Sequence, residues 1–483
     1  WRQGTIKSQP FALSNARGYS STEMTDPHAF SVRRSVPELV APARPTPRDL
    51  KPLSDIDDQE GLRFDVPVIM IYPAHPSMLG RDPVTVLRTA IAAALVFYYP
   101  LAGRLVEGPD RKLLVDCTGE GVEFVEADAD TGLEELGDAV MPPCRSLEAL
   151  HSRQHGWTDG ILGRPAVSFQ VTRLRCGGFI VCLMFIHVMC DGTGLVQFLD
   201  AVGEMARGIP SPSRQPVWRR ETLFARRPPR VTCTHREFED AGIPRVSNGF
   251  PRNWAAGDTV ERSFFFGPGE IRALRSRLPP HHARSTTSEL IIACLFQCRV
   301  VALGFPPEEA VRISYLQNFR PRLPRGCVPA GYYGNAFVHP AEVARAGWVS
   351  GVKENGNPTS LGNAVEMLKK AKAQVREEYV RSVTDFLVVN GRRMFAVDSN
   401  YIVSDVRNIG FHEVDFGWGQ PVYGGPATAV GIISFVGRFR NRDGEDEAVA
   451  MICLPSNAMT IFGMEMKKMT DGAAGGSGAR ARL

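Results

Sequence analysis

The sequence predicts an α/β fold in two lobes, and three observations predict it. Strand-like and helix-like patterns alternate throughout the 483 residues. The run Gly178 to Ile186 is apolar on both faces, as a central, covered strand must be. The composition then changes after Ile209, where prolines and arginines replace both patterns. With 43% hydrophobic residues, a chain of this length can bury at least one large core, and two domains are expected.

Taken in order, Asp82-Pro83 opens a helix, with a capping side chain followed by proline at the first helical position. Its apolar face runs Val84, Leu87, Ile91, Ala94, Leu95 and Tyr98. Leu113 to Val115 and Val122 to Val125 read as short strands around the turn at Gly119 and Gly121. Val167 to Leu174 and Phe179 to Ile186 read as a strand pair joined by Gly177-Gly178. A helical repeat follows at Leu195, Leu199 and Val202, with Gly208 and Pro210 as stop signals. Pro210, Pro212, Pro216, Pro228 and Pro229 mix with Arg214, Arg219, Arg220, Arg226, Arg227 and Arg230, a poor helix and a poor central strand. This stretch reads as a solvated linker, although its arginines suit a phosphorylated ligand. Beyond it come a strand over Val260 to Phe266 and a short helix over Glu270 to Leu278. Thr286-Thr287-Ser288-Glu289 is a capping-box pattern before an apolar helix, Leu290 to Leu303. Arg312 to Phe319 reads as a strand and Leu361 to Val380 as one charged amphipathic helix. Phe435 to Phe439 and Ala448 to Leu454 flank a turn at Asn441-Arg442-Asp443-Gly444 and form a hairpin. The expected domains are a leader or non-native extension at 1–23, a lobe at 24–209, a linker at 210–230, a second lobe at 231–470 and a disordered tail at 471–483.

Composition removes several function classes. A net charge of +4 is small for this length and does not argue for nucleic acid, though it is compatible with an anionic small ligand. No apolar run reaches roughly 18 residues, so no transmembrane helix is expected. Ten cysteines lie without paired spacing and read as buried reduced thiols. No zinc-type ligand spacing is present, so no metal is expected; His151 and His155 lack the glutamate of an H-E-x-x-H helix and read as a solvated face.

Chemistry concentrates at His187-Val188-Met189-Cys190-Asp191-Gly192. A strand that ends in an imidazole and then turns holds a base rigid and reachable. Neutral imidazole is competent near pH 7. A lone histidine is more often structural, so the local spacing only shifts the balance. On local physics Asp191 either orients the imidazole or braces the turn, while Gly192 and Gly194 allow a ligand close to the backbone. Cys190 reads as a buried thiol rather than a nucleophile. There is no G-x-S-x-G elbow, which leaves a serine-hydrolase triad unsupported. A second marker, Asp415-Phe416-Gly417-Trp418-Gly419, reads locally as a tight aromatic turn that locks two strands.

Together, the His187 to Gly192 and Asp415 to Gly419 motifs resemble those of the plant BAHD acyltransferase family, in the expected order and far apart. Tyr99-Pro100-Leu101-Ala102-Gly103-Arg104, Cys117-Thr118-Gly119-Glu120-Gly121, Gly331-Tyr332-Tyr333-Gly334-Asn335 and Tyr401-Ile402-Val403-Ser404-Asp405-Val406 also match. The resemblance runs from about Phe30 to about Met464 and departs from the common pattern at Val188, where relatives carry threonine or another small residue. It implies two chloramphenicol-acetyltransferase-like lobes, mixed sheets flanked by helices, with a channel between them. It implies that His187 takes the proton of an acceptor hydroxyl, which attacks an acyl-CoA without an acyl-enzyme. Asp191 is implied to brace its loop by pairing with Arg320 or Arg322. Ser404 is the candidate oxyanion or CoA contact. Gly192, Asp415, Gly417, Trp418 and Gly419 are expected to support the site.

Within the family, Asp159-Gly160-Ile161-Leu162-Gly163 and Val196-Gln197-Phe198-Leu199 look most like alcohol acyltransferases that make benzoate esters. Benzoyl-CoA and a small alcohol such as benzyl alcohol are therefore the expected partners, with acyl-CoA a co-substrate and no cofactor. No nucleic acid, no membrane and a monomer are expected. Hydroxycinnamoyl or other acyl transfer on the same scaffold, an inactive binding protein, and a carrier-dependent condensation domain are the competing readings. Residues 1–22 carry Arg2, Lys7 and Arg17 and no acid, a transit-peptide composition, but Met24 is the expected start. A cytoplasmic location is expected from reduced cysteines, with the terminal Ala481-Arg482-Leu483 as a peroxisomal alternative.

Overall fold

The computed structural model describes residues 30–471 except 145, 152–159, 240–258, 352–359, 398, 430–431 and 442–443, together with 481–482. The expected leader at 1–23, His155, Asp159 and most of the tail, with Leu483, lie outside the described residues. Two seven-stranded mixed sheets carry the fold. The first runs Val32–Arg34, Val122–Ala129, Val167–Arg173, Phe179–Ile186, Asp65–Tyr72 and Tyr423–Pro426, with Glu38–Val40 also on Val122–Ala129. Phe179–Ile186 lies between two antiparallel partners and is buried at every position, which is why its sequence is apolar on both faces. The second sheet runs Ala341–Arg345, Ala310–Tyr315, Asn400–Asp405, Ile433–Arg440, Asp446–Pro455, Thr259–Phe266 and Ala481–Arg482.

The helices that cover these sheets start where their caps dictate. Pro83–Leu95 begins at Asp82, whose carboxylate accepts from the Thr85 N–H at 3.1 Å. Thr287–Ala302 begins with a reciprocal box in which Thr286 and Glu289 each accept the other's backbone N–H, at 3.2 and 2.9 Å. It is buried nearly all round, because other helices and a strand surround it.

The strands expected on either side of Gly119 and Gly121 are present and lie in different sheets: Leu113–Asp116 joins a separate three-stranded sheet, while Val122–Ala129 pairs parallel with Val167–Arg173. Other expectations are corrected. The single helix expected over Leu361 to Val380 is two, Ser360–Gln374 and Glu377–Val389, because Arg376 is extended and starts a new first turn with Glu377 and Glu378. The tail is not wholly irregular, since Ala481 and Arg482 pair with Phe264 and Ser263. His151 is buried, with its Nε2 3.4 Å from the Ser168 carbonyl, and not on a solvated face. The linker arginines are not all solvated either. Arg226 bonds Asp385 and Glu378, and Arg220 is fully buried.

The two halves are interleaved. Tyr423–Pro426 comes from the second half of the chain but extends the first sheet, antiparallel to Asp65–Tyr72. Phe411, Val414, Phe416 and Trp418 belong to the first core, as do Tyr333 and Phe337. Across the boundary expected between 209 and 231, the first core thus takes residues from both sides, whereas a second core is built wholly from residues 264–466. Among the described residues, no helix is long and apolar enough to cross a membrane.

Candidate active site

His187 stands where the first sheet meets loops from the second half. Its strand ends at Ile186, and residues His187–Met189 make one tight 3₁₀ turn. The backbone N–H of His187 donates to the Phe64 carbonyl at 2.9 Å, and Asn335 Nδ2 donates to the His187 carbonyl at 2.9 Å. The rings of Phe64, Phe185 and Phe337 pack around the imidazole, with centroids 5.5, 5.8 and 5.7 Å away. Ring Nδ1 is buried without a hydrogen-bond partner, while the residue as a whole is only half-buried, which leaves the Nε2 edge as the reachable one. Burial lowers the imidazole pKa below its ordinary 6.5; its own carbonyl, Asp191, Asn335 and Asp57 oppose that shift without cancelling it. The ring is neutral near pH 7 and able to accept a proton.

Asp191 does not orient this ring. Its carboxylate caps the helix Gly192–Ala206 by accepting from the Gly194 N–H at 2.9 Å. It also accepts from Arg320 Nη1 at 2.7 Å, Arg320 Nη2 at 3.0 Å and the Ala336 N–H at 2.9 Å. Burial pushes this carboxyl up, but Arg320 and the two backbone N–H groups outweigh it and hold it below the usual 3.8. Arg320 continues to the Gly334 carbonyl at 2.6 Å, tying the turn to the second half. Arg322 is exposed; of the two candidate arginines it is Arg320 that reaches Asp191.

The glycines after Asp191 serve packing rather than ligand approach. A Cβ at Gly194 would fall on the Tyr333 carbonyl oxygen, and one at Gly192 would lie 2.5 Å from Ile409 Cδ1. Protein already occupies the space that the sequence left for a ligand. Cys190 is buried, and burial pushes its thiol well up, which removes it as a nucleophile.

Asp415 to Gly419 is a tight aromatic turn. Asp415 Oδ1 accepts from the N–H groups of Gly417 and Gly419 at 2.7 and 2.8 Å, and the Gly417 φ of +107° explains the glycine there. Phe416 packs on Tyr72 and Trp418 on Phe179, at 5.3 and 4.9 Å between centroids. Arg207 donates to the Asp415 carbonyl. The turn thus grips the strand that delivers His187 from its opposite end. Ser404 is buried on the strand Asn400–Asp405, beside Phe435 of the neighbouring strand. Among the described residues no hydrogen bond joins it to the His187 turn.

Sequence reasoning missed Asp57 and the importance of Asn335 and Arg220. Asp57 accepts from Arg220 Nη1 at 3.1 Å and from the Asn335 N–H and Nδ2 at 2.9 and 2.8 Å. Arg220 Nη2 donates to the Met189 carbonyl at 2.8 Å. The signals were present: a run of carboxylates in Ser54-Asp55-Ile56-Asp57-Asp58, and one arginine of an arginine-rich segment flanked by Trp218. Another triad-like chain is sealed instead. Ser382 Oγ lies 2.9 Å from His235 Nε2, and His235 Nδ1 lies 3.2 Å from Glu237, but all three are buried. Ser382 Oγ also accepts from the Thr232 and Cys233 N–H groups, so it clamps the linker to the helix Glu377–Val389.

A model of the Transferase family matches residues 30–469. The chain belongs to that family. It is an acyltransferase of the BAHD type, and the resemblance carried by His187 to Gly192 and Asp415 to Gly419 is confirmed over nearly the whole chain. It is 52% identical to a benzyl alcohol O-benzoyltransferase of Petunia hybrida over 451 residues, 92% of this chain and 95% of that one. It is also 52% identical to alcohol acyltransferase 16 of Actinidia chinensis var. chinensis, over 92% of this chain and 94% of that one. In fold it resembles the crystal structure of vinorine synthase, with a TM-score of 0.69 at 18% identity, covering 91% of this chain and 99% of the other.

Proposed function

We propose that this acyltransferase moves an aromatic acyl group, benzoyl in the first instance, from CoA to a small alcohol such as benzyl alcohol. The observation that carries the reading is the imidazole of His187: neutral, walled by three phenylalanines, sealed at Nδ1 and open on the Nε2 edge. Nε2 takes the proton of the acceptor hydroxyl as its oxygen attacks the thioester carbonyl. The tetrahedral intermediate collapses with cleavage of the C–S bond, and the imidazolium returns the proton to the departing CoA thiolate. Both substrates are held together, so no residue is acylated. Ser404 is the candidate donor to the oxyanion. The phenylalanine walls favour aromatic partners, in keeping with the benzyl alcohol O-benzoyltransferase relatives from Petunia hybrida and Nicotiana tabacum.

A panel of acyl-CoAs against alcohols and amines, read by CoA thiol release and product mass, tests the assignment. Benzoyl-CoA with benzyl alcohol is expected among the fastest pairs; turnover confined to hydroxycinnamoyl-CoA or to amines would replace it. His187→Ala should fold normally and lose about 100-fold or more in kcat. Normal turnover in that variant would end the mechanism.

A further inference from the structure

Behind the His187 turn lies a second buried network that neither motif includes. Asn335 is fully buried and stands between the turn and a carboxylate. Its Nδ2 donates both to the His187 carbonyl at 2.9 Å and to Asp57 Oδ1 at 2.8 Å, and its own N–H donates to the same Asp57 oxygen at 2.9 Å. Asp57 is fixed in turn by Arg220, at 3.1 Å to each carboxylate oxygen, and by the Ser54 N–H and hydroxyl at 3.0 and 2.6 Å. Arg220 and Asp57 are completely buried, and the guanidinium lies 4.4 Å from the Trp218 ring centroid. The other arm of Arg220 holds the Met189 carbonyl, two residues beyond the histidine. Two carbonyls of one three-residue turn are thereby pinned from a single buried ion pair. Three buried polar atoms in this cluster have no partner: His187 Nδ1, Asn335 Oδ1 and Arg220 Nε.

We propose that Asn335, held by the Asp57–Arg220 pair, is a positioning residue for His187, fixing the turn carbonyl so that the imidazole keeps its proton on Nδ1 and presents Nε2 to the acceptor hydroxyl. This rests on His187 being the base. The asymmetry of the network supports it. An Asn side chain has both a donor and an acceptor. The donor is used twice on fixed groups, and the acceptor is left without a partner, as is the ring nitrogen Nδ1 of His187. Asp57 is acceptor-only, so it selects the orientation in which Nδ2 faces it and Oδ1 faces away. Arg220 comes from the crossover segment, which makes that segment part of the site's support.

The test is steady-state kinetics of the purified full chain, with the acyl-CoA and alcohol pair turned over fastest in the panel. Asn335→Ala is expected to lower kcat about 100-fold while both KM values stay within about twofold. It should also move the acid limb of the kcat profile to lower pH, because Asn335 opposes the effect of burial on the imidazole. If Asn335→Ala does not fold, Asn335→Ser, which keeps a hydroxyl donor, is measured in the same way, with a smaller loss and a limb shifted in the same direction. In a His187→Ala background, Asn335→Ala should cost no further turnover. Unchanged kcat, a loss lying wholly in KM with an unmoved limb, or a full further loss without His187 would each overturn the proposal. Normal turnover by His187→Ala would remove the base itself; an inactive His187→Ala beside a fully active Asn335→Ala would remove only the positioning role.

Discussion

At the scale of residues, one stretch of six splits into two roles. His187 is walled by phenylalanines and is the proposed proton acceptor, while Asp191 spends every carboxylate contact on Arg320 and on backbone N–H groups. Burial lowers the His187 pKa, so the neutral form persists to more acidic pH than for a free histidine. kcat/KM is therefore expected to rise with pH through an inflection below 6.5 and then level off. An inflection above 6.5 in the measured profile contradicts the environment described here. Asp191→Asn leaves the half-buried Arg320 against a neutral partner, a loss of about 1.5–3 kcal/mol. Soluble yield and the denaturant midpoint should fall together with rate. A well-folded variant with wild-type turnover would show that the pair does not brace the site.

At the scale of elements, the helix Gly192–Ala206 shows how a local signal gains its reason only in context. Its cap at Asp191 and its apolar repeat were legible in the sequence, since both depend on neighbours within a turn or two. The function of Gly194 was not, because the Tyr333 carbonyl that fills its Cβ position lies far away in the chain. Gly194→Ala should cost roughly 1–3 kcal/mol by forcing that loop outward, read as a lower melting temperature. An unchanged melting temperature would mean that the loop yields freely. The break between Ser360–Gln374 and Glu377–Val389 escaped for a similar reason. The apolar period continues across Arg376, and only its extended backbone separates the two helices.

At the scale of the whole molecule, the first core is completed by side chains from the second half, while another core is built from the second half alone. The strand Asp65–Tyr72 is buried at all eight positions and needs Tyr423–Pro426 on its outer side. Residues 30–223 expressed alone would expose that edge, together with the surface covered by Phe416 and Trp418. Such a fragment is expected to aggregate, and co-expression with residues 224–471 should restore soluble protein. A soluble, cooperative 30–223 fragment would contradict the interleaving. The same arrangement explains the aromatic turn at Asp415 to Gly419, which docks on the first core from the second half.

The sequence by itself determined the fold class, the central strand that ends in His187, the helix caps, the two motifs and the family they mark. Each of these is written in neighbouring residues or in a pattern that survives without three-dimensional contact. Only the tertiary structure decided that Arg320 rather than Arg322 holds Asp191, and that Gly194 admits protein backbone and Gly192 a side chain. It also showed that Arg220 of the Pro/Arg-rich segment is buried on Asp57. The physical reason is common to all three. Pairing and burial depend on which distant groups arrive at a site, and a charged or small residue looks the same in sequence whether water or a partner meets it.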